Sequence, residues 1–255
     1  MTQLTPNYDT VIFDLDGTLL YTLTDLTTAV NAAMHRFGWQ ERTLEEMRHF
    51  VGNGIRNLMD HAVPGGENNP LFEEAFATFK EVYAKVQTDT TGPYDGILDA
   101  VRELQEHGIK MAIVSNKIDG AVQTLNDDFF HMDIAIGERE GVARKPAPDS
   151  VFLAMNELSA EPSRTVYIGD SDVDLKTARN SGLPCISALW GFRTREELKS
   201  YGATCIADTP ADMVAEILGT TESKRKNRTS PEVLFLSFRP GCEIDKRFYL
   251  WYPIG

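Results

Sequence analysis

Cysteine, basic residues and long apolar runs are what this 255-residue sequence has little of. Its three cysteines, Cys185, Cys205 and Cys242, are widely spaced and form no CxxC pair or Cys/His cluster, so neither a disulfide framework nor a zinc site is expected. A reducing cytoplasm suits such a chain. No segment approaches the roughly 18 consecutive apolar residues of a membrane span. The opening MTQLTPNYDT has neither a basic start nor an apolar stretch, so secretion and membrane insertion are not expected. Lys and Arg number 25 against 38 Asp and Glu, a formal charge of −13. That balance disfavours nucleic acid as partner, because phosphate backbones are bound through an excess of basic side chains. The five histidines share no i,i+4 ligand spacing, and surface or interfacial roles are expected for them.

What is present is a globular composition, 42% hydrophobic, enough to bury a core without staples. Thr10 to Phe13 is apolar and β-rich and breaks into Asp14-Leu15-Asp16-Gly17-Thr18, which reads as a buried strand entering a loop. The period then turns helical. Leu26, Ala29, Val30, Ala33, Met34 and Phe37 recur at three- and four-residue spacing before Gly38; Thr43 with Glu46 is a capping-box pattern; Phe72, Ala75, Phe76, Phe79, Val82 and Val86 stripe a further helix. From Gly92 helices and strands alternate. Helices are expected from Ile97 to His107, after Asp119, from Ser150 to Leu158 and from Val173 to Ser181, and strands from Met111 to Val114, near Ile134, from Val166 to Ile168, and at Cys185 and Cys205. Such alternation predicts βαβ units in a parallel sheet covered on both faces. The expected fold class is therefore α/β, a Rossmann-like doubly wound parallel sheet (residues 1–20 and 92–219) with an inserted small all-helical cap (residues 21–91). Residues 220–255, with seven Lys/Arg against four Asp/Glu, are expected to form a peripheral or poorly ordered extension.

In a parallel sheet, ligands bind beyond the carboxyl ends of the strands. Here those ends are polar: Asp14 and Asp16 after the first strand, Ser115-Asn116-Lys117 after the second, and Gly169-Asp170-Ser171-Asp172-Val173-Asp174 after the fourth, with Lys145-Pro146 preceding that last one. The set has what phosphoryl transfer requires, since a carboxylate is repelled by a phosphate ester unless a cation and fixed donors neutralise the ester. Asp14, Asp170 and Asp174 make a hard oxygen cluster suited to Mg²⁺. Lys145 adds a positive charge and Ser115 a hydroxyl for phosphate oxygens, and Thr18 and Asn116 in the same segments are counted with the phosphate-binding candidates. Two carboxylates one residue apart can divide the labour: Asp14 attacks phosphorus while Asp16 protonates the leaving alcohol. Lys145 is preferred over Lys117 as phosphate ligand. Asp172 is read as a helix cap, and the stripe Phe72-Phe76-Phe79-Tyr83 as packing.

Together, Asp14-Leu15-Asp16-Gly17-Thr18, Ser115, Lys145, and Gly169-Asp170 with Asp174 resemble, in order, the four motifs of the haloacid dehalogenase-like hydrolase superfamily. The resemblance implies that Asp14 is the nucleophile and forms an aspartyl-phosphate. It implies that Asp16 is the general acid/base and also offers its backbone carbonyl to magnesium, that Ser115 and Lys145 hold the phosphoryl group, and that Asp170 is a metal ligand. Dehalogenases of the superfamily lack the second acid, so Asp16 points to phosphate chemistry. The helical insertion resembles the small cap of the first subclass. Trp39, Phe50-Val51-Gly52-Asn53-Gly54, Pro93-Tyr94-Asp95-Gly96 and Arg144-Lys145-Pro146-Ala147-Pro148-Asp149 are similar to phosphoglycolate phosphatases and their near relatives. Within the cap, Asn53 and Arg56 are candidate contacts to the substrate's non-phosphate end. The implied activity is Mg²⁺-dependent hydrolysis of a small phosphorylated metabolite, 2-phosphoglycolate first, by a monomer or loose homodimer. An inorganic pyrophosphatase, a nucleotide phosphatase or a sugar phosphomutase of the same superfamily would share these core residues.

Overall fold

The structure, a computed structural model, is described over residues 6–220. Cys242 and nearly all of the expected C-terminal extension lie outside them. The order of elements is β1 (Thr10–Phe13), β2 (Leu20–Tyr21), α1 (Leu23–Arg36), α2 (Leu44–Phe50), α3 (Gly54–Ala62), α4 (Phe72–Val86), β3 (Gly92–Pro93), α5 (Ile97–Glu106), β4 (Lys110–Ile118), α6 (Asp119–Leu125), β5 (Ile134–Glu138), α7 (Asp149–Glu157), β6 (Thr165–Gly169), α8 (Asp172–Asn180), β7 (Cys185–Ala188), α9 (Arg195–Ser200), β8 (Cys205–Ala207) and α10 (Pro210–Leu218).

Six strands form one sheet in the order β5-β4-β1-β6-β7-β8, and every neighbouring pair is parallel. Alternate residues along a strand face opposite sides, and both sides are buried. Val11, Phe13, Met111, Ile113, Val166 and Ile168 pack with α5, α6 and α10. Ile12, Ala112, Val114 and Tyr167 pack with α7 and α8. This is the α/β Rossmann-like core, and it explains why the strands read as continuous apolar runs. The chain leaves β1 for β4 on one side and later returns to β6 on the other, so the strand order reverses beside β1. The Asp14 loop follows that strand.

Helices α1 to α4 fall between β2 and β3 and enclose their own apolar cluster, including Leu26, Met34, Met59, Phe72 and Phe79, joined by Phe192 from the loop after β7. The Thr43/Glu46 capping box starts α2 as its spacing predicts.

Two local features depart from the expected reading. Strand β4 does not stop at Val114: its pairing to β5 shifts register between Val114 and Ile118, so Ser115, Asn116 and Lys117 sit on an irregular strand end rather than in a loop. The two passages into and out of the helical segment pair with each other as the antiparallel strands β2 and β3. Behind that pair the buried carboxylate of Asp25 accepts from the Thr90 amide at 3.1 Å, the Thr90 hydroxyl at 2.6 Å and the Thr91 amide at 2.8 Å. Nothing in the local sequence announces these partners, because they lie 65 residues away.

Candidate active site

The strand ends bring Asp14, Lys145, Asp170 and Asp174 together. Lys145 Nζ lies 2.6 Å from Asp14 Oδ1, 2.9 Å from Asp174 Oδ1 and 3.0 Å from the Tyr167 hydroxyl. All four side chains are buried, as is Tyr167. Asp174 also accepts from the backbone amide of Ser171 at 3.1 Å and its hydroxyl at 2.6 Å, while Tyr167 donates to it at 3.1 Å. Thus Ser171, not Asp172, caps α8, and Asp174 completes its capping box; Asp172 pairs with Lys176 on the surface. Asp170 accepts from the Thr18 hydroxyl at 3.2 Å and from the Phe192 amide at 2.7 Å. Gly17 has φ +91°, and a Cβ there would stand 2.6 Å from Asp170 Oδ2, so only glycine lets the loop pass the carboxylate. At Gly191 a Cβ would collide with Asp170 and with the Gly17 carbonyl.

One oxygen from each of Asp14, Asp170 and Asp174 falls within 4.8 Å of the others. Burial is the main force raising the Asp14 carboxyl well above its ordinary range, and the Asp174 charge adds to it; Lys145 opposes both. Burial, with Asp174 again, pushes Asp170 up to about 7, against the Phe192 amide, Arg193 and Thr18. For Lys145 burial acts downward, but Asp14 and Asp174 more than offset it, so its ammonium holds its proton more tightly than an ordinary lysine. Three carboxylates against one ammonium leave two negative charges in a space that does not tolerate them. A hard divalent cation would neutralise that excess, and the all-oxygen set fits one.

Asp16 lies at the rim. Its Oδ1 takes a bond from Lys117 Nζ at 3.2 Å, and Lys117 also donates to the Tyr83 hydroxyl of α4 at 2.7 Å. Asp14, Asp16, Ser115, Asn116 and Lys117 floor a small pocket of about 40 Å³; Leu26, Val51, Gly52, Gly54, Ile55 and Leu58 of the helical segment roof it.

The remaining candidates are placed differently from their expected roles. The Thr18 hydroxyl is fully buried and spent on Asp170. The Asn116 amide donates to the carbonyls of Gly52 and Lys145, both at 3.0 Å, so this side chain ties the helical segment to the Lys145 loop rather than pointing free into the pocket. Arg56 is turned away: it bonds Glu67 at 2.6 Å and Glu73 at 2.6 Å and lies over the Phe72 ring at 5.0 Å. Asn53 is exposed at the start of α3, outside the pocket lining.

Three features escaped the sequence reading. Tyr167 looked like one more apolar strand residue. Tyr83 looked like packing, and it does stack on Phe79 at 5.4 Å, yet its hydroxyl reaches the site. The loop Gly191-Phe192-Arg193 follows β7, so the strand-end rule applied once more would have found it. Arg48 of α2 donates to the Phe192 carbonyl at 3.0 and 2.8 Å, and Arg193 donates in return to the carbonyls of Arg48 and Val51.

Comparison with known proteins identifies the family. A family model described as haloacid dehalogenase-like hydrolase matches residues 11–188. A phosphoglycolate phosphatase of Pseudomonas putida KT2440 is 31% identical over 208 residues, covering 78% of this chain and 75% of that protein. Phosphoglycolate phosphatase 1 of Pseudomonas aeruginosa PAO1 is 31% identical over 212 residues, covering 80% and 78%. The crystal structure of a candidate phosphoglycolate phosphatase from Lactobacillus delbrueckii subsp. bulgaricus superposes with a TM-score of 0.80 at 36% identity, over 84% of this chain and 99% of that one. The parallel sheet, the acidic strand ends and a match over most of the chain lead to one assignment: the chain belongs to the haloacid dehalogenase-like hydrolase family and is one of its phosphatases.

Proposed function

We propose that this phosphatase hydrolyses a small phosphorylated metabolite, with 2-phosphoglycolate the first candidate, through a phosphoryl group carried transiently on Asp14. The observation that supports this reading most is the convergence of Asp14, Lys145, Asp170 and Asp174 on one buried point beneath a small pocket. The names of the relatives supply the substrate.

In this reading Asp14 attacks phosphorus in line with the ester oxygen; a bond forms from its carboxylate to phosphorus as the phosphorus–alkoxide bond breaks. Asp16, on the same loop and rim, gives its proton to the departing oxygen. It then takes a proton from the water that attacks phosphorus, which releases inorganic phosphate and returns Asp14 to a carboxylate. Ser115 donates to a phosphoryl oxygen. Lys145 fixes the rotamers of Asp14 and Asp174 and supplies positive charge below the phosphoryl group. Asp14 and Asp170, with Asp174 behind them, would hold Mg²⁺. When bound, the ion lowers the repulsion between the attacking carboxylate and the phosphoryl oxygens. Residues 21–91 act as a cap on a core of residues 1–20 and 92–219, and β2 and β3 are the passages about which the cap opens and closes.

The test is release of inorganic phosphate from a panel of phosphomonoesters with Mg²⁺ and with EDTA. Turnover of 2-phosphoglycolate that needs Mg²⁺ and releases phosphate one-for-one is the expected result. Equal activity in EDTA, or a phosphorylated isomer in place of free phosphate, overturns the reading.

A further inference from the structure

The two buried lysines at the site are committed differently. Lys145 aims its ammonium at three acceptors, Asp14, Asp174 and Tyr167, and an ammonium has three N–H bonds to give. Lys117 gives two, to Asp16 and Tyr83, and its third meets no protein acceptor among the described residues. Lys117 is also the only cation in the pocket lining. Its side chain is 7% exposed. Burial pulls its pKa down, but Asp16 and Tyr83 more than offset this, so it stays charged above the ordinary lysine value. Its position is fixed from both sides of the pocket, by the β1 loop through Asp16 and by α4 through Tyr83, whose ring centroid lies 5.2 Å from the ammonium.

We propose that Lys117 selects the leaving group by binding a carboxylate whose carbon is two bonds from the ester oxygen, so that the enzyme favours phosphorylated 2-hydroxy acids over neutral esters of the same shape. The inference rests on the reading above, in which Asp16 protonates the ester oxygen. Asp16 Oδ1 and Lys117 Nζ are 3.2 Å apart, the separation of neighbouring hydrogen-bonding groups. An ester oxygen at one and a carboxylate at the other are spaced as in a 2-phospho acid. The roof side chains Leu26, Val51, Ile55 and Leu58 are apolar, so they offer such an anion no charged partner. A buried carboxylate left without Lys117 would carry an unpaired charge, which is the strongest form of substrate discrimination a small pocket has.

The test compares kcat/KM for 2-phosphoglycolate with that for the phosphate ester of glycolamide, its neutral isostere, in the wild type, Lys117→Met, Lys117→Arg and Tyr83→Phe. The wild type is expected to favour the carboxylate by roughly 100-fold. Lys117→Met reduces the preference to below about tenfold, chiefly through KM for the acid; Lys117→Arg keeps part of it, and Tyr83→Phe loses about three- to tenfold of it. A wild type that turns over both esters equally, or a Lys117→Met variant that loses the same factor on both, overturns the proposal while hydrolysis itself stands. A wild type that hydrolyses neither ester nor any other phosphomonoester overturns the underlying reading as well. If Lys117→Met does not fold, Lys117→Arg and Tyr83→Phe carry the comparison, and an unchanged preference in both is the negative result.

Discussion

The sheet edge and the helical segment above it are held by different forces. At the edge, charged groups are locked to one another: Lys145 bridges Asp14 and Asp174, and Asp170 is pinned by Thr18 and Phe192. None of these contacts can loosen without leaving a buried charge unpaired. The helical segment is apolar inside and meets the edge through a few bonds to backbone carbonyls, from Arg48 to Phe192, from Arg193 to Arg48 and Val51, and from Asn116 to Gly52, and through the bond from Lys117 to the Tyr83 hydroxyl. Each is worth little alone, and among the described residues of the segment's apolar cluster only Phe192 comes from outside it. The edge is thus the part suited to chemistry that must be set to a fraction of an ångström, and the proposed cap motion falls to the segment.

The largest effect should come from the edge. Asp14→Asn keeps the shape and removes the proposed nucleophile, so kcat is expected to fall on the order of 10⁴-fold or more with little change in Tm. Steady-state phosphate release checks this, and near-normal turnover would remove Asp14 from its role. Next comes the base of the helical segment, where its two ends are tied together. Asp25→Ala strips three donors on Thr90 and Thr91 of their acceptor and should cost about 2–4 kcal/mol of stability, read by urea unfolding. A loss no larger than that of an exposed Asp→Ala control would mean that this tie contributes little. Smaller again is the clasp: Arg193→Ala removes two bonds, to the Arg48 and Val51 carbonyls, and should lower kcat/KM by about tenfold, with kcat and KM changing together as hinge and lid variants do. A change in Tm with no kinetic change would make Arg193 a purely structural tie.

The contrast also sorts what could be read from the sequence. The edge was legible because its residues sit at fixed offsets from apolar runs: Asp14 follows Thr10–Phe13 and Asp170 follows Thr165–Gly169, and the parallel-sheet rule sends both to one side. Helix starts were legible where a capping box spelled them, as at Thr43 and Glu46. What spans the two regions was not. Lys117 meets Tyr83 only because α4 packs over the strand end 34 residues away. Arg56, read as facing the substrate, is claimed by Glu67 and Glu73, 11 and 17 residues away. Side-chain partners at such distances leave no period or spacing in a sequence. Lys145 stands at the strand ends as its motif position implies, but its three acceptors are visible only with Tyr167 in view.

A pH dependence separates the edge from the rest of the molecule. Asp170 has a folded-state pKa of about 7 against an ordinary 3.8. In metal-free protein, between those values, the folded state holds a proton that the unfolded chain has lost. Stability linked to Asp170 is therefore full below the unfolded pKa, declines as pH rises towards 7, and is flat above it. Asp14 is shifted in the same direction and deepens the trend. In EDTA, Tm is expected to fall by about 4–8 °C between pH 5.5 and 7.5, the change expected for about 2 kcal/mol in a chain of this size. Asp170→Asn should flatten that slope. Saturating Mg²⁺ should reverse it in the wild type, because the ligands must lose their protons to bind the ion. Identical slopes for the wild type and Asp170→Asn in EDTA would show that the excess negative charge is relieved somewhere other than Asp170, and the charge argument for a divalent cation at this edge would lose its support.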